Sequence, residues 1–317
     1  MSLRLKGRMQ QSGIIWKVLL LLALMLVLTV LAMVIWALCF GSSQTTVSLK
    51  VLQMLQSVGT FLLPCLAAVY LWSEKPVEWL KLDKSVGWKE GVAVVLLIVC
   101  ASPGINLLAW LNEKIALPDF LSGLEELMKS QEEAAAGLTE RFIKADNAGI
   151  LLLNLLLLAL LPALCEETMF RGTLQQLFYT PAVYRHEGVP AKNSGGGLTA
   201  RHHAAVWVSA IIFSTIHFQF YGFVPRMLLG ALFGYLLLWS GTLWLPVLAH
   251  FTNNAMAVLL YNMYYMKGKN VDEIDAFGAG DTWWLGLISL LLTGLGIYIV
   301  RRICLHEKNY EHLRALH

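Results

Sequence analysis

The chain has 317 residues, of which 57% are hydrophobic and only 14% charged, with a formal net charge of +3. Together with a mean hydropathy of +0.61, this composition excludes a pair of ordinary water-soluble domains and describes a polytopic membrane protein. So modest a net charge leaves no electrostatic footprint for a nucleic acid, which is not expected as a partner.

A membrane-crossing helix needs about 20 mostly apolar residues. Stretches that meet or approach this run over 14–40, 51–72, 91–110, 150–170, 204–218, 225–240, 243–264 and 283–300. The expected fold is therefore all-α, with about eight transmembrane helices. The first run is too long for a signal peptide and lacks a small-residue cleavage site, so it is read as a retained span.

Charge distribution sets the expected orientation. Arg4, Lys6, Arg8 and Lys17 lie at the amino terminus, Lys75, Lys81, Lys84 and Lys89 in the second loop, Arg185, Lys192 and Arg201 in the fourth, and Arg301, Arg302, Lys308 and Arg314 in the tail. With eight spans these fall on one side, and the positive-inside rule puts both termini in the cytoplasm. The expected location is a multi-pass position in a bacterial cytoplasmic membrane.

Between the third and fourth spans, "EELMKSQEEAAAGLTERFIKAD" is net acidic. After the "LPD" start it reads as an amphipathic helix, with Leu121, Leu124, Leu127 and Met128 on one side, lying along the membrane surface. The segment Thr180 to Arg201, with its triple glycine, reads as a flexible cytoplasmic loop. No strand precedes those glycines and no Walker lysine follows, so nucleotide binding is not inferred. Trp72, Trp79, Trp88, Trp110, Trp239, Trp244, Trp283 and Trp284 cluster near span ends, as interfacial aromatics do. Gly230 and Gly234 have the spacing that lets helices approach closely. The cysteines Cys39, Cys65, Cys100, Cys165 and Cys304 form no disulfide or zinc pattern, and Cys165 is read as a packing residue.

No internal repeat divides the chain, which is read as a single membrane domain over 1–317. Within it, 1–145 holds the amino-terminal spans and the acidic amphipathic loop, 146–265 a catalytic core, and 266–317 the last span and a basic tail.

Three constellations place chemistry inside this apolar chain. "LCEETMFRG" sets Glu166, Glu167 and Arg171 directly after the strongly apolar run "LLLNLLLLALLPA". Four residues apart on a helix, Glu167 and Arg171 share a face and can pair. Glu166 points elsewhere, without an obvious local partner, and a carboxylate in a low-dielectric site can serve as a general base or acid near neutrality. The alternative is that all three sit at a helix end and are simply solvated. "FSTIHF" puts Phe213 and His217 on one face of the fifth span, and "HFTNNA" does the same for His250 and Asn254 on the seventh. Ionisable groups at bilayer depth are costly and face a protein interior or a wet cavity.

These motifs, E-E-x-x-x-R, F-x-x-x-H and H-x-x-x-N in that order on successive apolar helices, resemble the CPBP intramembrane proteases. That group contains the CAAX prenyl endopeptidases and the bacterial Abi or bacteriocin-protection proteins. The resemblance covers mainly 150–260 and implies peptide hydrolysis within the membrane by a glutamate-activated water. It implies Glu166 as the base, His217 as a holder of the water, and His250 with Asn254 as donors to the oxyanion. Glu167, Arg171 and Phe213 would be supporting residues. The substrate would be a membrane-embedded, prenylated or otherwise lipidated peptide or protein. No cofactor is required by this mechanism; the metalloprotease alternative would have Glu166, His217 and His250 hold zinc, although no H-E-x-x-H occurs. Two other function classes are an ion-coupled transporter and a non-catalytic scaffold or immunity protein.

One geometric expectation follows from the spacing. His217 lies roughly 20 Å along the fifth span from its start, at about 1.5 Å per residue. A pocket shared with Glu166 requires short fifth and sixth spans, with the connecting "QFYGFV" turn sunk into the protein.

Overall fold

The computed structural model describes residues 5–115, 118–179 and 198–314, and the loop reading for 180–197 lies outside them. The described residues form helices joined by turns. We number the long helices α1 (Ile14–Phe40), α2 (Thr46–Trp72), α3 (Trp88–Glu113), α4 (Ser122–Ile143), α5 (Ala148–Tyr179), α6 (Ala200–Thr215), α7 (Phe223–Ser240), α8 (Trp244–Met266) and α9 (Trp283–Arg314).

Each stretch expected to span is helical over most of its length, that over 204–218 only as far as Thr215, and the protein is an all-helical integral membrane protein. Among the described residues, six segments are long and apolar enough to cross a membrane: α1, α2, α3, α5, α7 and the stretch Asp272–His306 that contains most of α9. Two of the expected eight are not among them. α6 has 16 residues, and α8 interrupts its apolar surface with His250, Asn253, Asn254 and Asn262.

The chain packs as two compact units, Met1–Ser85 with Leu161–Ser209 and Val86–Leu160 with Ala210–His317. In the first, α1 and α2 are tied by a hydrogen bond between the Thr29 and Thr60 hydroxyls at 2.8 Å, and Trp36 Nε1 donates to Ser48 O at 2.7 Å. Thr45 starts α2, its side chain accepting from the Ser48 amide, as a helix N-cap does. Lys17, counted above as a terminal charge, lies in the first turn of α1 and is buried. Its ammonium donates to Gln10 O at 3.0 Å and sits 6.0 and 5.8 Å from the ring centres of Trp72 and Trp79. Trp72 and Trp239 are buried, and each stands at the end of its helix, as the sequence suggested.

Two helices open into π turns immediately upstream of a proline. Ser57–Leu62 precedes Pro64, and Leu155–Leu160 precedes Pro162. A proline cannot donate to the carbonyl four residues back and its ring crowds that carbonyl. The wider turn, with Leu63 N–H bonding to Val58 O, carries the helix past the missing donor instead of breaking it.

The second unit has its core where α3, α7, α8 and α9 meet, with Val94, Leu97, Ile98, Phe233, Leu236, Leu245, Ala249 and Val300 in one buried cluster. Pro103 interrupts α3, and at that point the Ser289 hydroxyl of α9 enters the helix. It donates to Cys100 O at 2.5 Å and accepts from Gly104 N–H at 2.9 Å, bridging two groups that an unbroken α-helix would pair directly. Glycines permit this approach, since a Cβ at Gly104 would press on Leu290 and one at Gly286 on Leu107.

α4 realises the amphipathic segment, with Leu124 and Leu127 exposed and Met128 half-buried. It joins the unit through its end, where Phe142 and Ile143 are buried, Asn154 Nδ2 donates to Ile143 O at 2.9 Å and Ala145 N–H to Asn262 Oδ1 at 3.0 Å.

Candidate functional site

The three motifs divide between the units, with Glu166, Glu167 and Arg171 in the first and Phe213, His217, His250 and Asn254 in the second.

In the first unit, the glutamates sit inside α5, not at its end: the helix runs to Tyr179, well beyond the boundary near Phe170 that the sequence suggested. From Thr168 to Gln175 it is a π helix, a form that recurs at functional positions. Hydroxyls satisfy the loosened backbone, Thr168 Oγ1 donating to Leu164 O at 2.7 Å and Thr173 Oγ1 to Thr168 O at 2.8 Å. The pairing expected for an α-helix survives the wider turn. Arg171 Nη1 donates to Glu167 Oε1 at 2.9 Å, and both residues are 0% exposed. Simple solvation at a helix end is therefore excluded for these two.

Glu166 is half-buried, and its charge also acts on Arg171. The carboxylate that looked partnerless thus belongs to the same electrostatic group as the buried pair. Packing fixes this turn from two directions. Cys65 Sγ lies 3.2 Å from Met169 Sδ, the Phe61 and Phe170 rings are 6.1 Å apart, and Ser209 Oγ donates to Phe170 O at 2.9 Å. Cys165 is buried as expected of a packing residue.

In the second unit, α6 ends at Thr215, so His217 stands on the turn after the helix rather than on it. Phe218 follows with φ 53°, a left-handed conformation that stops helical propagation. The F-x-x-x-H relation nonetheless holds, because the Phe213 and His217 rings lie edge to face at 5.0 Å. His217 Nδ1 is 2.7 Å from Phe213 O. A carbonyl only accepts, so Nδ1 carries a proton and donates it to Phe213 O.

Phe213 also meets His250, edge to face at 6.1 Å. The structure thereby brings together three side chains of the second and third motifs, with Phe213 in contact with both histidines. A fourth, outside every motif, joins them: Phe233 of α7 stacks on the His250 ring at 5.4 Å with 23° between the planes. Asn254, on the next turn of α8, is half-buried and accepts at Oδ1 from Asn253 Nδ2 at 3.2 Å, which turns its own amide N–H groups to other acceptors.

The turn after His217 is held rather than loose. Gln219, Phe220, Tyr221 and Gly222 are half-buried. Asn112, at the end of α3, donates to Phe220 O at 2.9 Å and accepts from Val224 N–H at 3.2 Å. Ser214 Oγ donates to Phe223 O at 2.7 Å, and Arg226 Nη2 to Gln219 Oε1 at 2.7 Å. α6, with 16 residues, is as short as the spacing argument required, whereas α7, with 18, is long and apolar enough to cross a membrane.

Among the described residues, no group of three or more His, Cys, Asp or Glu side chains is arranged to hold a metal ion.

The resemblance carried by the motifs is borne out by comparison. Residues 148–256 match the Rce1-like family, described as type II CAAX prenyl endopeptidases. A curated relative, the uncharacterized protein YpbD of Bacillus subtilis (strain 168), is 24% identical over 124 residues, which are 38% of this chain and 52% of YpbD. The chain thus spans about half the length of the curated relative it matches. No solved structure matches.

Proposed function

We propose, with the Rce1-like match over 148–256 as the premise, that this chain is an intramembrane endopeptidase of the CAAX type, acting on a membrane-embedded or lipidated peptide. Glu166 takes a proton from water as the water oxygen attacks the scissile carbonyl carbon. His217, whose Nδ1–H is committed to Phe213 O, has the role of holding a water that the motif resemblance implies for it. The oxyanion receives hydrogen bonds from His250 and from the Asn254 amide, donors whose fixed position contributes several kcal/mol in a site shielded from bulk solvent. Glu166 then returns its proton to the leaving nitrogen as the C–N bond breaks.

The observation that carries this reading is the buried Glu167–Arg171 pair beside Glu166. Two buried charges that compensate each other hold a turn in one geometry, and they leave the half-buried neighbouring carboxylate as the member of the motif suited to reversible protonation. The second support is the hydrogen bond from His217 Nδ1–H to Phe213 O.

Replacing Glu166 with Gln keeps size and hydrogen bonding but removes the base. Comparing the membrane peptidome of cells with the wild-type chain and with Glu166→Gln is the direct test. Peptides that vanish in the variant, at equal protein level and thermal stability, support the assignment; an unchanged peptidome rejects it. In the same assay 1,10-phenanthroline is expected to leave cleavage unaltered, whereas inhibition reversed by zinc would replace the glutamate mechanism with a metal one.

A further inference from the structure

We propose that Phe233, which no motif contains, is a positioning residue that fixes the plane of the His250 imidazole; the inference rests on the protease reading above. His250 is 6% exposed, and its ring is bounded on a face by Phe233 and met edge-on by Phe213. An imidazole on a helix keeps its freedom chiefly by turning about the Cβ–Cγ bond, and that turn would drive its edge into the Phe233 face. The in-plane N–H vectors, the part that matters to an oxyanion, are therefore set by the stacked ring.

The clamp is stiff because its outer jaw is part of the core. Phe233 is 2% exposed and packs with Leu232, Leu236, Leu245 and Ala249. Interiors of this kind are close-packed and resist displacement. The inner jaw, Phe213, also touches the His217 ring, so one phenylalanine gives both histidines a common reference. A donor aimed only by its own backbone would lose this, and an error of about 1 Å in a reacting geometry can cost on the order of 100-fold in rate.

The test compares Phe233→Leu, which preserves bulk but not the flat face, with Phe233→Trp, which preserves the face. Full-length protein in nanodiscs, labelled with 15N-histidine, is read by NMR, with the His250 signals assigned from a His250→Gln sample. The wild type and Phe233→Trp are expected to show one tautomer for His250, and Phe233→Leu exchange-broadened or averaged signals at unchanged signals for His217. In the cleavage assay, Phe233→Leu is expected to lower kcat roughly 10- to 100-fold with KM within about threefold, and Phe233→Trp to recover most of it. An unaltered His250 spectrum in Phe233→Leu overturns the proposal, as does a loss confined to KM or to thermal stability. If the wild type itself cleaves nothing, the protease reading fails, and the NMR comparison alone still decides whether Phe233 holds the ring.

Discussion

Arg171 Nη1 donates to Glu167 Oε1 at 2.9 Å while both side chains are shut off from solvent. Such a pair compensates its own desolvation only as long as both partners are present, and removing one leaves a buried charge. Arg171→Met and Glu167→Met are each expected to cost about 3–5 kcal/mol. The double replacement Glu167→Met with Arg171→Met should cost clearly less than the sum of the two singles. Unfolding in mixed micelles measures this, and additivity of the two losses would refute the coupling.

Lys17 holds Gln10 O and lies against two tryptophans inside the first unit. Its replacement by Met should keep the stem's packing but lose the cation, at a cost of about 1–2 kcal/mol. Trp79→Leu should lose a similar amount, and the two together less than both added. An effect of Lys17→Met no larger than that of an exposed lysine such as Lys84 would contradict the cage.

The Ser289 hydroxyl occupies the gap that Pro103 opens in α3. Ser289→Ala strands the Gly104 N–H and the Cys100 carbonyl, and about 1–3 kcal/mol of stability is expected to go with them. Adding Pro103→Ala, which lets α3 close its own hydrogen bonds, should return part of that loss. Hydrogen exchange at Gly104 is the local readout, and a rate unchanged by Ser289→Ala would count against the bridge.

Burial of Glu132 on α4 raises its carboxyl above the ordinary carboxylate value, against the opposing pull of Arg226 and a backbone bond from Tyr221, with Glu113 adding to the rise. A raised value in the folded state means that the folded protein holds this proton more tightly than the unfolded one. The stabilisation is fully present below about pH 4.5, the ordinary value, and is lost as pH rises through the folded-state value. Glu132→Gln should match the wild type in thermal unfolding at pH 4.5 and exceed it at pH 7.5. A difference of equal size at both pH values would show that the carboxyl's charge is not the cause.

Much of the site was legible because its relations are short in sequence. Glu167 with Arg171 and Phe213 with His217 are each four residues apart, and helical geometry alone brings such pairs together. The motifs survived even where the local prediction did not: the turn that carries Arg171 is a π helix, and His217 stands past the end of α6. The hydrophobic runs likewise located the helices, since a lipid environment forces the backbone to satisfy its own hydrogen bonds and leaves helix as the local solution for an apolar run.

The long-range relations were not legible, because no periodicity encodes them. Phe233 on His250, Lys17 beside Trp72 and Trp79, Ser289 inside α3 and Asn112 under the turn at Phe220 each join separate elements of the chain. Composition and spacing determined that this is a helical membrane protein and which motif residues lie side by side, since both follow from hydration and from the pitch of a helix. Which phenylalanine faces a histidine, and which hydroxyl closes a broken turn, only the packing of helices against one another decided, because in an apolar medium those contacts depend on shape and on buried polar groups finding partners rather than on pattern.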